Sequence, residues 1–245
     1  MRTTSQNHDA RIQIRPGFQW DEQDAYLFDI DGTLLRDPDR VHFHSFASSI
    51  RQVTGWEVPM AGVAIHGSTD TMILHDAFHQ AGLTAEQVEP QYEAILEAMR
   101  QTVAASREEM TLLLMPSVHE TLRHLAEKGA HLGVASGNLE AIGWLKLEVA
   151  GLRQWFDFGG YSDRFPVRHE LIGDAARQAR LLAGEQATVC VVGDTPRDIQ
   201  AAHANALPVI AVATGHYDFD TLLECGPEMC ASSLADLLAH TQAVQ

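Results

Sequence analysis

Lysine is almost missing from this chain. Among 245 residues there are two, Lys128 and Lys146, and from Asp198 to the C-terminus there is neither lysine nor arginine. Seventeen Lys+Arg against thirty-three Asp+Glu leave a formal net charge of −16. General nucleic-acid binders and binders of anionic membranes need a basic face, so no nucleic acid and no membrane is expected as a partner. Cysteine is scarce as well. Cys190, Cys225 and Cys230 are too few for a disulfide framework or a closed zinc site. Cys190 lies in the apolar run ATVCVV, a buried setting; Cys225 and Cys230, with four residues between them, could pair, but nothing else points to an oxidising compartment and a structural disulfide is not expected. No apolar run approaches the ~20 residues of a membrane-spanning helix. Residues 1–23 are polar and lack the apolar stretch of a secretory signal. A cytoplasmic protein is expected. With 45% hydrophobic and 20% charged residues, the length allows one large domain or two unequal ones around a substantial core.

What is present follows a rhythm. AYLFDI (25–30) is a short apolar run ending in the acidic turn DIDGT, the pattern of a buried parallel strand. SVHETLRHLAEK (117–128) has helical spacing, with Ser117 and Glu120 as a capping box and Gly129 as its stop. HLGVAS (131–136) is a strand, followed by a helix ending at Gly151. Residues 169–183 form a further helix. ATVCVVG (187–193), TPRDIQAAHANA and PVIAVAT (208–214) add strand, helix, strand. Strand–turn–helix repeated this way predicts an α/β domain with a parallel sheet. Between residues 37 and 111 the rhythm changes to helical patterns at about 41–54, 69–80 and 84–107. The division expected is a polar segment 1–23, a core domain of 24–36 and 112–245, and an inserted helical domain of 37–111.

Open parallel sheets bind ligands at the carboxyl ends of their strands. The polar residues placed there are Asp29, Asp31, Gly32 and Thr33; Ser136, Gly137 and Asn138; and Gly193, Asp194 and Thr195 with Asp198 close behind. Carboxylates crowded together repel, so they raise a pKa or share a cation. An oxygen-only donor set selects Mg2+. Ser136 and the amides after it, at a helix start, suit an anion. A metal-binding carboxylate cluster beside an anion cradle is a phosphate site. Taken alone, each aspartate is an ordinary turn former, and Asn138 an ordinary N-cap; the joint occurrence at several strand ends carries the argument.

DIDGT (29–33), ASGN (135–138) and GDTPRD (193–198) resemble the first, second and fourth motifs of the haloacid dehalogenase superfamily. The likeness runs from about Tyr26 to Leu238. It includes the insertion, which resembles the helical cap of the phosphoglycolate phosphatase-like branch, on a Rossmann-like parallel-sheet core. The resemblance implies that Asp29 is the nucleophile, forming an aspartyl-phosphate, and that Asp31 is the general acid and then the base. It implies that Asp29, Asp194 and the Asp31 backbone carbonyl hold Mg2+, with Asp198 a direct or water-mediated ligand. Thr33 would support the site, and Ser136, Gly137 and Asn138 would bind phosphoryl oxygens. An aspartate at 31 favours phosphoryl transfer, because a halide leaving group needs no proton.

The third motif departs from the family pattern. A lysine is usual there, and neither Lys128 nor Lys146 stands at the expected place; Arg168 does, with Arg164 as the alternative. In similar proteins a cap loop faces the active site. Here that loop is HGSTD (66–70), where Gly67, Ser68 and Thr69 would approach the substrate, unless Ser68 or Thr69 only caps the next helix. One of His42 and His44 would line the cleft, while His75 and His79 have zinc-ligand spacing but no third ligand nearby. The expected activity is Mg2+-dependent hydrolysis of a small phosphorylated metabolite, phosphoglycolate-like or a sugar phosphate. A phosphomutase of the β-phosphoglucomutase kind, or a phosphate-binding protein without turnover, would share these motifs.

Overall fold

The computed structural model describes residues 11–244. Nine strands and nine α-helices follow in the order β1 (Ile12–Ile14), β2 (Ala25–Phe28), β3 (Leu35–Arg36), α1 (Val41–Thr54), α2 (Asp70–Gln80), α3 (Ala85–Ala105), β4 (Leu113–Leu114), α4 (Val118–Glu127), β5 (His131–Ala135), α5 (Glu140–Val149), β6 (Phe158–Gly160), α6 (Arg168–Ala183), β7 (Val189–Gly193), α7 (Pro196–Ala204), β8 (Val209–Val212), α8 (Phe219–Glu224), β9 (Met229–Ala231) and α9 (Leu234–Val244). Seven strands form one sheet in the order β1-β9-β8-β7-β2-β5-β6. All its pairings are parallel except β1 against β9.

Alternation along the central strands divides the core in two. Tyr26, Phe28, Cys190 and Val192 face one layer, packed against α4, α5 and α9 through Leu122, Leu125, Leu147 and Leu237. Ala25, Leu27, Val189 and Val191 face the other, against α6, α7 and α8 through Leu171, Ala175, Ile199 and Leu222. Strands buried on both faces read as continuous apolar runs, which is why these segments were visible in the sequence. Cys190 and Cys230 are buried and all three cysteines are free thiols.

Helices α1–α3 bury Phe46, Ile50, Leu74, Phe78, Ile95 and Met99 against one another, and this cluster extends onto Leu139 and Ile142 at the start of α5. The chain enters and leaves the helical region through β3 and β4, which pair antiparallel as Leu35↔Leu114 and Arg36↔Leu113.

Two expectations need correction. The polar segment assigned to 1–23 is not separate over its described part: β1 joins the sheet, and Trp20 is buried in the core with its carbonyl accepting the Tyr26 hydroxyl at 2.7 Å. Residues 1–10 lie outside the described residues. The Ser117–Glu120 capping box does not form, because Ser117 is left-handed (φ 59°) and its hydroxyl makes no cap bond. A Thr/Asp box opens α7 instead, as described below.

Candidate active site

β2 lies between β5 and β7, in register Phe28↔Val134 and Phe28↔Val192. Their carboxyl ends therefore open side by side. The Asp29 amide extends the ladder by donating to the Val192 carbonyl at 2.9 Å. Above these ends is a cleft of about 380 Å3, walled by core residues including Asp29, Asp31, Ser136 and Asp194 and by cap residues including His42 and His66.

One oxygen each of Asp29, Asp194 and Asp198 lies within 4.8 Å of the others, and all three residues are buried. Burial pushes Asp29 up to about 7; the Arg168 guanidinium opposes this, and the neighbouring Asp198 and Asp31 add to it. Asp194 is raised well above the usual carboxylate range, first by burial and then by Asp29 and Asp198. Such a cluster is costly unless it shares cations. The backbone presses close to it. Gly32 is left-handed (φ 96°), and a Cβ there or on Gly215 would run into the Asp194 carboxylate. Thr33, fully buried, donates its hydroxyl to Asp194 Oδ1 at 3.1 Å.

Arg168, the first residue of α6, supplies a cation. Its Nε and Nη2 donate to Asp198 Oδ1 at 3.0 and 2.5 Å, Nη2 stands 3.2 Å from Asp29 Oδ1, and Nη1 donates to the Gly67 carbonyl at 3.2 Å. Arg164 points elsewhere: it is exposed and pairs with Glu140 at 2.8 Å. Asp198 is held from both sides. Its Oδ2 accepts from the Thr195 amide (3.0 Å) and hydroxyl (2.7 Å), closing the capping box of α7, while Oδ1 belongs to Arg168. All three carboxylates are placed to share an ion, and Asp198 is the one most tightly held by the protein.

Asp31 faces the other way. Both its oxygens accept from Lys146 Nζ, at 2.8 and 2.7 Å, and Oδ2 also accepts from Asn138 Nδ2 at 2.8 Å. Lys146 Nζ makes a third bond, to Asn138 Oδ1 at 3.0 Å, and its side chain is 2% exposed. Burial pulls Asp31 upward but is outweighed by Lys146, His42 and Asn138, so its pKa is lowered. Two aspartates two residues apart are thus held in opposite protonation tendencies.

The match to the family model described as haloacid dehalogenase-like hydrolase spans residues 26–212. The chain belongs to this family. Among haloacid dehalogenase-like relatives, the protein named "Probable phosphatase IndB" of Dickeya dadantii is 29% identical over 224 residues, covering 89% of this chain and 93% of that one. The phosphoglycolate phosphatase of Agrobacterium fabrum is 24% identical over 222 residues, covering 86% and 89%. A solved hydrolase structure from Pseudomonas syringae superposes with TM-score 0.67 at 19% identity, over 91% of this chain and 99% of that one, a likeness of fold.

Against the other expectations for a haloacid dehalogenase-like site, the structure makes several changes. Asn138 is not an N-cap: α5 starts at Glu140, and the Asn138 amide group bridges Asp31 and the Ser136 hydroxyl (2.7 Å). Thr69 is the cap of α2, accepting from Met72 N at 3.2 Å and donating to the Pro166 carbonyl at 2.6 Å, so its hydroxyl is committed away from the cleft. Gly67 (φ 71°) has no room for a Cβ against Thr195. Ser68 accepts from Arg197 at 2.6 Å. The Asp70 amide donates to the Gly137 carbonyl at 2.7 Å and its carboxylate accepts from the Leu139 amide at 2.8 Å. Loop 66–70 is therefore clamped onto three core loops. His42 is buried and lines the cleft, with Nε2 3.0 Å from Asp70 Oδ2, while His44, His75 and His79 are exposed.

Lys146 was missed by sequence reasoning, which placed it inside a helix and away from any motif. A signal was there. Lys146 shares a helix face with Ile142 and Leu139, at spacings of four and seven, and an ammonium on an apolar face needs a buried acceptor. Replacing Lys146 with methionine keeps the volume and removes that contact. Burial, no longer opposed by the ammonium, then raises the Asp31 pKa, and the step in which Asp31 must be ionised, hydrolysis of the aspartyl-phosphate, slows about 10–100-fold, so protein-bound phosphate accumulates. An unchanged steady-state level of bound phosphate would show that Lys146 does not act through Asp31.

Proposed function

We propose that this chain is a Mg2+-dependent phosphatase that hydrolyses a small phosphate monoester, phosphoglycolate-like or a sugar phosphate, through an aspartyl-phosphate on Asp29. The observation that carries the reading is the split environment of the two aspartates. Asp29 is aimed into a carboxylate cluster with Arg168 at its edge, whereas Asp31 is held apart by Lys146 and Asn138.

Asp29 attacks phosphorus, an O–P bond forms, and the ester P–O bond breaks. The leaving oxygen takes its proton from Asp31. Lys146 holds Asp31 ionised before substrate binds, so Asp31 first takes up a proton, which a singly protonated phosphate ester can bring, and passes it to the leaving oxygen. Asp31, then ionised, takes a proton from water as that water attacks the aspartyl-phosphate and releases phosphate and free Asp29. Arg168 Nη2, 3.2 Å from Asp29 Oδ1, sets a positive charge beside the nucleophile where phosphoryl charge develops, and Ser136 lines the same cleft. The all-oxygen, buried pair of Asp29 and Asp194 fits Mg2+, which when bound neutralises repulsion between the nucleophile and the phosphoryl group.

Rapid acid quench of a reaction with radiolabelled substrate should leave phosphate bound to the peptide containing Asp29. Turnover without any protein-bound phosphate would rule out the covalent route.

Metal binding and pH are linked by the same residues. Asp29 must be ionised to bind Mg2+, and its pKa is about 7. Mg2+ affinity should therefore rise with pH from 6 to 8, by up to about tenfold per unit for one displaced proton. Calorimetric titrations at several pH values measure this, and a flat profile would mean Asp29 is not a ligand.

A further inference from the structure

Helix α5 starts on a residue that cannot cap it. Leu139 holds the N-cap position and makes no side-chain cap bond, so the first amides of the helix must find acceptors elsewhere. Two carboxylates from other parts of the chain take them. Asp163 accepts from the Glu140 amide at 3.2 Å, and Asp70 Oδ2 accepts from the Leu139 amide at 2.8 Å. Asp70 is itself the first residue of α2 and is 3% exposed. One buried carboxylate thus sits at two helix starts, where the peptide dipoles favour an anion, with His42 Nε2 3.0 Å away.

Asp70 holds the same stretch a second time, because its amide donates to the Gly137 carbonyl at 2.7 Å. The two bonds fall on the two peptide units that flank the Asn138 Cα, and the Ser162 amide donates to the Asn138 carbonyl at 3.1 Å. A Cβ on Gly137 would run into the Ser68 carbonyl, so backbone lies directly on backbone here. What is fixed in this way is the hub of the inner site. Asn138 Nδ2 donates to Asp31 Oδ2 and to the Ser136 hydroxyl, and Asn138 Oδ1 accepts from Lys146. All three contacts depend on where the Asn138 backbone stands. Asp70 also lines the cleft, but a carboxylate is poorly suited to meet an anionic ester. Its bonds run to the Gly137–Leu139 backbone instead.

The geometry points to Asp70 as a positioning residue for the reaction: by clipping both peptide units of Asn138 it sets the Asn138 side chain, and through that side chain Asp31 and Ser136. Its effect on turnover rests on the phosphatase reading above; its effect on Asn138 does not.

The test reads Asn138 directly and turnover beside it, in the full chain. In 15N-labelled wild type, Asp70→Asn and Asp70→Ala, NMR measures solvent exchange of the Asn138 Nδ2 protons, a signal identified by its loss in Asn138→Ala. Exchange should be at least about tenfold faster in Asp70→Ala. It should stay within about threefold of wild type in Asp70→Asn, whose amide oxygen can still accept from Leu139. With Mg2+ and p-nitrophenyl phosphate, kcat should fall about 10–100-fold in Asp70→Ala at a KM within about threefold of wild type, and Asp70→Asn should recover most of that loss. In an Asn138→Ala background, Asp70→Ala should cost less than about threefold more, because the path through Asn138 is already cut. Asp70→Ser, one bond too short for the Leu139 amide, takes the place of Asp70→Ala should that variant not fold. Unchanged exchange, a rise in KM alone, or a full second loss in the double variant would overturn the inference. No turnover by wild type would count against the phosphatase reading, and the exchange rates alone would then decide this one.

Discussion

Asp29→Asn is expected to lower turnover by roughly 10⁴–10⁶-fold, the scale of losing a nucleophile. The same variant should fold as well as wild type or better. An amide of equal size removes one charge from a buried group of three carboxylates, and Arg168 keeps its stronger partner, Asp198, at 2.5 Å. The sign follows from the raised Asp29 pKa, about 7 in the folded protein. A carboxyl held above its unfolded value favours the folded state while protonated. That contribution is lost as pH rises through the folded pKa, so the ionised group is a liability above pH 7. In metal-free buffer at pH 8, Asp29→Asn should melt roughly 3 °C or more above wild type. With Mg2+ the order should invert, because the metal-induced rise in melting temperature needs the missing carboxylate. Thermal melts with and without Mg2+, beside assays of phosphate release, read both effects. Retained turnover would mean that the nucleophile lies elsewhere, and a large loss of stability in metal-free buffer would mean that the cluster is not under repulsion.

How much of this was legible without coordinates depended on whether a residue's role was local in sequence. The buried strands announced themselves as apolar runs, and each polar residue just past a run had to emerge at the same sheet edge. Asp29, Ser136 and Asp194 needed nothing more than topology. Arg168 was legible by position, as the one cation opening the helix before β7, although its fork onto Asp198 was not. The misreadings are of groups whose side chains choose among nearby partners. Asn138 had the spacing of an N-cap and instead spends its amide on Asp31 and Ser136. Asp198 belongs to the triad that could hold a metal ion, but its ties to Thr195 and Arg168 were not legible. Thr69 kept the plainer of its two readings. The clamping of loop 66–70 to Gly137, Pro166 and Arg168 depends on contacts about 70–100 residues apart in the chain, which no local pattern encodes.

Arg168→Ala should damage stability more than Asp29→Asn does, and activity less. One fully committed guanidinium serves Asp198 Oδ1 twice, approaches Asp29 Oδ1 and ties the Gly67 carbonyl of the cap loop. Removing it leaves Asp29, Asp194 and Asp198 buried with no protein cation among them, and breaking a buried pair by deleting one partner costs about 3–5 kcal/mol. For a protein of this size that is a fall in melting temperature of about 10 °C. The loss should be largest at high pH in metal-free buffer. It should shrink as pH falls, because Asp29 and Asp194, already raised, take up protons and relieve the repulsion; Mg2+ should restore part of it. Activity should drop about 10²–10³-fold in kcat/KM, through loss of the phosphoryl-facing charge. Arg168→Lys should recover some of both. An ammonium keeps the charge but cannot span Asp198, Asp29 and Gly67 at once, since that reach belongs to the planar fork. Arg164→Ala is the control: its exposed pairing with Glu140 predicts a change within about 0.5 kcal/mol and ordinary turnover. Equal activity in wild type, Arg168→Ala and Arg168→Lys, or a collapse confined to Arg164→Ala, would move the phosphoryl-binding cation away from the start of α6.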